Sequence, residues 1–317
     1  MSSLEDSISA SERKLIFVGG KGGVGKTSVA AALALRMSTS HKILLISTDP
    51  AHSLQDLLNV ASFDTPAEFE GLFDVWEPDS QVAFEAFKTA HAEEFRLLFD
   101  TSTHLDEEDI EQLLSLVIPG LDEIMGLKGL IDKMETGLYD KIIVDTAPTG
   151  HALRLLSTPY ILDNWIKVMA SMRWKYRFIQ QTFKGKVDKD DADDLLLDLK
   201  RMVSRTKKLL TDGMSCEFVL ISLPDRMNLN ETHRLWERLK NAGIAVKTLI
   251  INRKSPRSID PFYESIRLQE EALLKDELSG FEPLHIIEIP RISLEINGLE
   301  QLKTLSTTIF NQNQNGK

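Results

Sequence analysis

At 317 residues, with 42% hydrophobic and 27% charged side chains, the chain can bury a large core as one elaborated globular domain or two modest ones. A formal net charge of -11 argues against a nucleic-acid binder, whose affinity rests on neutralising phosphates with Lys and Arg, and against attraction to an anionic membrane surface. The one cysteine, Cys216, excludes an internal disulfide and a Cys-x-x-Cys metal site within the chain, and no apolar run approaches the roughly 20 residues of a membrane span, so a reducing cytoplasm is the expected setting. The chain starts on a polar, acidic stretch, MSSLEDSISASERK, without the basic-then-apolar order of a signal peptide. Short aliphatic and β-branched runs then recur with helical spacing between them: KLIFVGG (14–20), KILLISTD (42–49), KIIVDTA (141–147), EFVLISL (217–223), KTLIINR (247–253) and HIIEIP (285–290). Near-continuous apolarity is what strands covered on both faces of a parallel sheet show, so these runs predict a doubly wound α/β core. Intervals 77–138 and 151–213 are longer than a single crossover helix needs and carry almost no strand signal. They predict a helical subdomain grown out of one domain spanning 1–317.

The first predicted strand runs into GGKGGVGKTS, residues 19–28, which satisfies two phosphate-binding patterns at once. Gly20, Gly22 and Gly25 fit the dinucleotide G-x-G-x-x-G, while Gly20, Gly25, Lys26 and Thr27 fit the P-loop G-x-x-x-x-G-K-[ST]. Asp49, at the end of the second strand, stands where a dinucleotide fold would place its ribose-binding acid. Three features decide for the P-loop. Lys26 and Thr27 follow the last glycine directly, where a helix turn brings an ammonium to the β/γ-phosphates and a hydroxyl to Mg²⁺. Asp145 ends the apolar run IIVD, where a carboxylate completes the magnesium shell through water. Asp49 opens DPAHS, a turn of catalytic rather than ribose-binding character. The expected nucleotide cradle is therefore Gly20, Gly22, Gly23, Val24, Gly25, Lys26, Thr27 and Ser28. A second lysine, Lys21, adds a cation that stabilises transition-state charge as an arginine finger does. So close to its own loop backbone, it reaches the phosphates of a facing subunit more easily than its own, which implies a nucleotide-sandwich homodimer.

The loop KGGVGKT with its extra lysine, TDPAHS at 48–53 and DTAPTGHALRLL at 145–156 together resemble the deviant Walker A P-loop ATPases of the arsenite-pump (ArsA) and tail-anchored-protein targeting (GET/TRC) family. Softer matches are VWEPD at 75–79, PGLDEIMG at 119–126, IINR at 250–253 and IPRISLEINGLEQL at 289–302, so the resemblance covers almost the whole chain once through. It implies that Asp49 is the switch I aspartate that aligns the attacking water, as the chemistry requires of a poor nucleophile. It implies that Asp145 is the magnesium-facing switch II carboxylate, with Thr146, Pro148, Thr149, Gly150 and His151 as the hinge that senses the γ-phosphate. Asn252 matches the adenine-reading asparagine, and Pro290 and Arg291 fall where the family wraps a loop around the base. ATP is thereby favoured over GTP, and no N-K-x-D guanine motif stands against it.

Six of the nine methionines, Met125, Met134, Met169, Met172, Met202 and Met214, flank the switch II stretch on either side, ahead of the fourth of these strands. In the targeting branch this region builds an apolar groove that shields a client's transmembrane helix, a use that suits a flexible thioether; ordinary helical core is the equal alternative. MRWKYRF at 172–178 interleaves basic and aromatic residues, and an amphipathic helix packing its rings inward accounts for it better than nucleic-acid stacking. DKDDADD at 188–194 reads as a solvated loop or a helix start. The chain lacks both the Cys-x-x-Cys of zinc-stapled targeting dimers and the cysteine set with which the arsenite pump binds soft As(III), so no zinc is expected. Two readings follow: a cytoplasmic ATPase homodimer that delivers hydrophobic helices to a membrane receptor, or the catalytic subunit of an arsenical efflux pump with a membrane-embedded partner. A DNA-partitioning ATPase would want a lysine-rich amphipathic tail, which LEQLKTLSTTIF does not supply.

Overall fold

The computed structural model describes residues 12–49, 53–60, 65–103, 121–147, 149–184, 190–293 and 295–311. Its described residues fall into two compact units, one within Met1–Pro78, Lys133–Leu153 and Leu209–Lys317, the other within Asp79–Asp132 and Arg154–Lys208. In chain order the elements are β1 (Leu15–Gly20), α1 (Lys26–Met37), β2 (Ile43–Ser47), α2 (Ser53–Leu58), β3 (Ala67–Phe69), β4 (Phe73–Trp76), α3 (Ser80–Ala90), α4 (Ala92–Thr103), α5 (Leu121–Glu135), β5 (Lys141–Asp145), α6 (Thr149–Lys184), α7 (Asp191–Thr211), β6 (Cys216–Ser222), α8 (Arg226–Asn241), β7 (Val246–Lys254), α9 (Pro261–Glu277), a 3-10 turn (Leu278–Phe281), β8 (His285–Pro290) and α10 (Leu299–Asn311).

The first unit is built on a sheet of order β3-β4-β2-β5-β1-β6-β7-β8, parallel throughout except for the β3–β4 pair at one edge. All six runs expected to be strands are strands, and β1, β2, β5 and β6 are buried at every residue, as their unbroken apolarity requires. The edge pair was not anticipated. β3 and β4 are only three and four residues long, and FDVW alternates buried with half-buried side chains, so neither produces an unbroken apolar run. One face of the sheet, carrying Ile16, Val18, Leu45, Ile143, Val219, Ile221 and Ile250, packs with α1 and α10. The AAALAL stretch of α1 combines good helix formers with small side chains, which lets α10 come close enough for Ser306 to donate to the Ala32 carbonyl at 3.0 Å. On β1 and β6 the opposite-facing Phe17 and Phe218 stack with ring centroids 5.6 Å apart.

The second unit is helical among its described residues, with a core that includes Phe84, Phe95, Leu98, Ile124, Leu162, Ile166, Leu195, Leu199 and Val203. Met125 and Met169 belong to that core and Met202 packs against it, whereas Met172 is exposed; in the first unit Met134 is half-buried and Met214 exposed. Two of the rings of MRWKYRF do not pack inward, and the side chain of Tyr176 lies outside the described residues. Trp174 is 68% and Phe178 61% exposed, stacked on each other at 5.9 Å, while Arg173 is the buried member. Its guanidinium is satisfied by Asp190 and Asp193 at the start of α7 and by the Leu97 carbonyl at 3.2 Å, and Arg177 joins Asp193. The described part of the acidic run, 190–194, leads into the helix at Asp191 and also neutralises a buried arginine, while Asp188 and Lys189 lie outside the described residues. Residues 104–120, with much of EQLLSLVIPGLDEIMG, lie outside the described residues.

Replacing Phe218 by Ala removes a fully buried ring and should lower the unfolding free energy by about 3–5 kcal/mol, whereas Phe262→Ala, at an exposed position on α9, should change it by less than about 0.5 kcal/mol; urea titration of both variants checks the pair.

Candidate functional site: a phosphate-binding loop at the carboxyl ends of the strands

The loop lies between β1 and α1, at the carboxyl end of a central strand, where α/β sheets collect their ligands. Gly25 turns the chain with φ +95°, a region an L side chain rarely adopts, and a Cβ there would lie 2.5 Å from Asn252 Nδ2. No side chain caps α1, whereas α3, α8 and α9 are capped by Asp79, Asp225 and Asp260. The amides opening α1 and the positive end of its dipole thus face the loop, the arrangement that receives phosphate. Gly22 and Gly23 are exposed in the turn, Gly20 ends β1, and Val24 is buried so that only its backbone faces the loop. The Cβ of any other residue at Gly20 would sit 2.3 Å from the Ile221 carbonyl oxygen of the neighbouring strand.

Lys26 is 95% buried by area, at 5% exposure, and its ammonium donates to the Lys21 carbonyl at 3.3 Å. Burial lowers its pKa, with Asp145 and Asp49 pulling in the opposite direction. Thr27 Oγ1 donates to Asp145 Oδ2 at 2.7 Å and lies 3.2 Å from Ser53 Oγ. Asp145 is completely buried, and its Oδ1 has no hydrogen-bond partner among the described residues. Burial pushes its carboxyl up to about 7, and the charges of Asp49 and Glu77 push the same way against Thr27 and Lys26. Asp49 follows β2, its amide donating to Ser47 Oγ at 3.2 Å. Thr146 is buried and donates from its hydroxyl to the Val18 carbonyl at 2.9 Å, stitching β5 to β1. Pro50, Ala51, His52 and Pro148, and the side chains of Thr149 to His151, lie outside the described residues.

A cavity of about 420 Å³ adjoins the loop, bordered by Gly25, Ser28, Asn252, Pro290, Arg291 and Leu305, a size that suits a nucleobase with its sugar. Asn252 donates from Nδ2 to the Val24 carbonyl at 2.8 Å and accepts the Arg253 amide on Oδ1 at 2.9 Å. It therefore ties β7 to the loop and keeps one N–H and one lone pair in reserve. The expected residues thus come together in two groups, one around Thr27 and Asp145, one around Asn252 and Arg291.

Several residues beside the site were not anticipated. Arg253, in the left-handed region with φ +58°, donates to the Gly23 carbonyl at 3.3 Å. Glu231 of α8 pairs with Lys21 at 3.3 Å. Glu77 follows β4 and acts electrostatically on Asp145, and Ser53 meets Thr27. Ser53, Glu77 and Arg253 stand inside stretches whose motifs are visible, but their proximity arises from neighbouring strand ends, which spacing along the chain does not encode.

A parallel sheet with this loop over an uncapped helix, and a lysine and a threonine meeting a strand-end aspartate, defines a P-loop nucleoside triphosphatase. The anion-transporting ATPase family model matches residues 13–311. The chain is 34% identical to ATPase GET3B of Arabidopsis thaliana over an alignment of 341 positions covering 98% of this chain and 82% of that one. It is 32% identical over 302 positions to a putative arsenical pump-driving ATPase 2 of Aquifex aeolicus, covering 92% and 98%, and 28% identical over 303 positions to ATPase ASNA1 homolog 1 of Paramecium tetraurelia, covering 92% and 90%. The chain belongs to this anion-transporting (ArsA-type) ATPase family and is an ATPase. No helix among the described residues is long and apolar enough to cross a membrane.

Asp145 makes the stability of the fold depend on pH. Its folded value of about 7 exceeds the ordinary 3.8, so the folded state holds a proton that the unfolded chain releases, and stability falls as pH rises from about 4 to about 7. In nucleotide- and metal-free protein, Asp145→Asn should therefore raise the thermal midpoint more at pH 8 than at pH 5; equal shifts at both would contradict the assignment.

Proposed function

We propose that the chain hydrolyses ATP as a nucleotide-sandwich homodimer in the cytoplasm and couples hydrolysis to the binding and membrane delivery of hydrophobic helices. The observation that carries the nucleotide part is the Thr27–Asp145 bond at 2.7 Å beside an uncapped helix end, with Asp145 Oδ1 buried and unpartnered among the described residues. A hydroxyl and a carboxylate with a spare oxygen fit Mg²⁺, which binds through few protein oxygens and keeps its waters and the phosphates as further ligands. Thr27, and Asp145 through water, would hold it, and when bound it would draw charge from the phosphate oxygens. Lys26 neutralises the β/γ-phosphates, and the amides of Gly22 to Ser28 receive the remaining oxygens. Asp49 holds the attacking water in line, and Lys21 enters the neighbouring subunit's site. Asn252, Pro290 and Arg291 enclose the adenine.

The client part is supported by α6, where Ile161, Val168 and Met172 are all exposed at seven- and four-residue spacing, one stripe of a helix, with the stacked Trp174 and Phe178 beyond. A protein of formal charge -11 that leaves such a stripe in water presents a surface suited to an apolar helix. The alternative, the ATPase subunit of an arsenical pump, is favoured by the name of the Aquifex relative. Against it stands Cys216, fully buried in β6 with its thiol pushed up to about 12 by burial, a poor ligand for a soft metalloid.

Asp49→Asn should abolish turnover with ATP still bound, Lys26→Ala should weaken ATP binding itself, and Lys21→Ala should lower turnover without weakening binding; single-turnover kinetics and nucleotide titration separate the three. The Asp49→Asn protein, held with ATP, should retain synthetic tail-anchored segments on co-purification, and arsenite should leave the wild-type rate unchanged. Arsenite stimulation without helix capture would favour the pump reading. Cys216 should resist iodoacetamide at pH 8 in the folded protein and react on denaturation, read by mass spectrometry.

A further inference from the structure

The loop lysine that would act across a dimer is held within its own subunit. β6 lies beside β1, with Gly20 opposite Ile221, so the helix that follows β6 passes next to the loop that follows β1. That helix, α8, begins at Arg226 under the Asp225 cap, and in its second turn presents Glu231, whose Oε2 lies 3.3 Å from Lys21 Nζ. At the same time the Lys21 carbonyl accepts the Lys26 ammonium at 3.3 Å, so the residue is fixed at both its backbone and its side chain. The two charged groups keep 28% and 32% of their side-chain surface in water. A pair so exposed is weak and exchanges readily, unlike the buried Arg13–Glu217 pair at the opposite end of the same strands.

We propose that Glu231 is a positioning residue for Lys21: it holds the ammonium in cis while the subunit is alone and yields it when a second nucleotide-loaded copy offers its phosphates. This rests on the reading of Lys21 as a group that acts in trans. A phosphate is the stronger partner, carrying more charge in a site from which water is excluded, so the exchange runs toward the dimer only when ATP is present. ATP occupancy of the facing subunit thereby releases the lysine, and Glu231 sets the threshold at which this happens. A two-fold dimer releases two such pairs, so the influence of one pair on the association equilibrium enters squared.

The test is the ATPase rate per subunit measured against protein concentration, at saturating ATP, for the wild type and Glu231→Gln. An exposed pair accounts for about a two- to fivefold factor, so two of them should lower the half-activating protein concentration by about 4- to 25-fold, with the maximal rate at high protein retained. Raising salt from 50 mM to 500 mM should bring the two proteins together, because the pair is screened in the wild type and absent in the variant. A half-activating concentration that is unchanged or raised by Glu231→Gln overturns the proposal, as does a maximal rate that falls with it, which would place Glu231 in the active dimer. Lys21→Ala separates this from the underlying reading. If that variant turns over at the wild-type rate, the trans role of Lys21 is wrong; if it is inactive and Glu231→Gln shows no shift, the cis hold alone is wrong.

Discussion

The left-handed turn at Gly25 is the constraint on which the rest of the site depends. It leaves α1 uncapped, so the amides opening that helix face the loop, and it places Lys26 and Thr27 in the first helical turn. Asn252 holds the turn from β7, two strands away, by bonding the Val24 carbonyl, in space that a Cβ on Gly25 would occupy. One glycine thus joins the loop to the adjoining cavity, because the Asn252 carboxamide that braces the loop also borders that cavity.

Around that turn, charges are placed in opposition. Asp49, Glu77 and Asp145 stand at the carboxyl ends of the neighbouring strands β2, β4 and β5, close enough that Asp145 responds to both of the others, and Lys26 is buried among them. This arrangement gives a buried carboxyl with a raised pKa and a buried ammonium with a lowered one. Both shifts arise chiefly from desolvation.

The helical unit follows a different logic. Its core is ordinary aliphatic packing, yet α6 turns Trp174 and Phe178 to water and buries Arg173 instead. The inversion is stable because Asp190 and Asp193, from what reads as a solvated acidic run, supply the guanidinium with charged partners, and the Leu97 carbonyl supplies another acceptor. Charge-assisted bonds of that kind offset the burial of a cation, whereas the exposed rings gain only each other.

Much was legible in the residues alone. Six unbroken apolar runs announce strands covered on both faces, because burial on two sides removes the polar alternation; the glycine spacing followed by Lys26 and Thr27 selects a P-loop, because only that site uses an ammonium and a hydroxyl at those positions. Asp49, Asp145 and Asn252 were likewise visible at strand ends. The short edge strands were not, since three or four alternating residues resemble a loop, and neither was the orientation of MRWKYRF, since an arginine is buried only where distant carboxylates meet it. The pairings of Lys21 with Glu231, Thr27 with Asp145 and Asn252 with Val24 join residues 210, 118 and 228 positions apart. Local pattern encodes which face of an element is apolar and which turn a glycine permits; which strand ends become neighbours is decided by the order of the sheet, and only the folded chain sets that order.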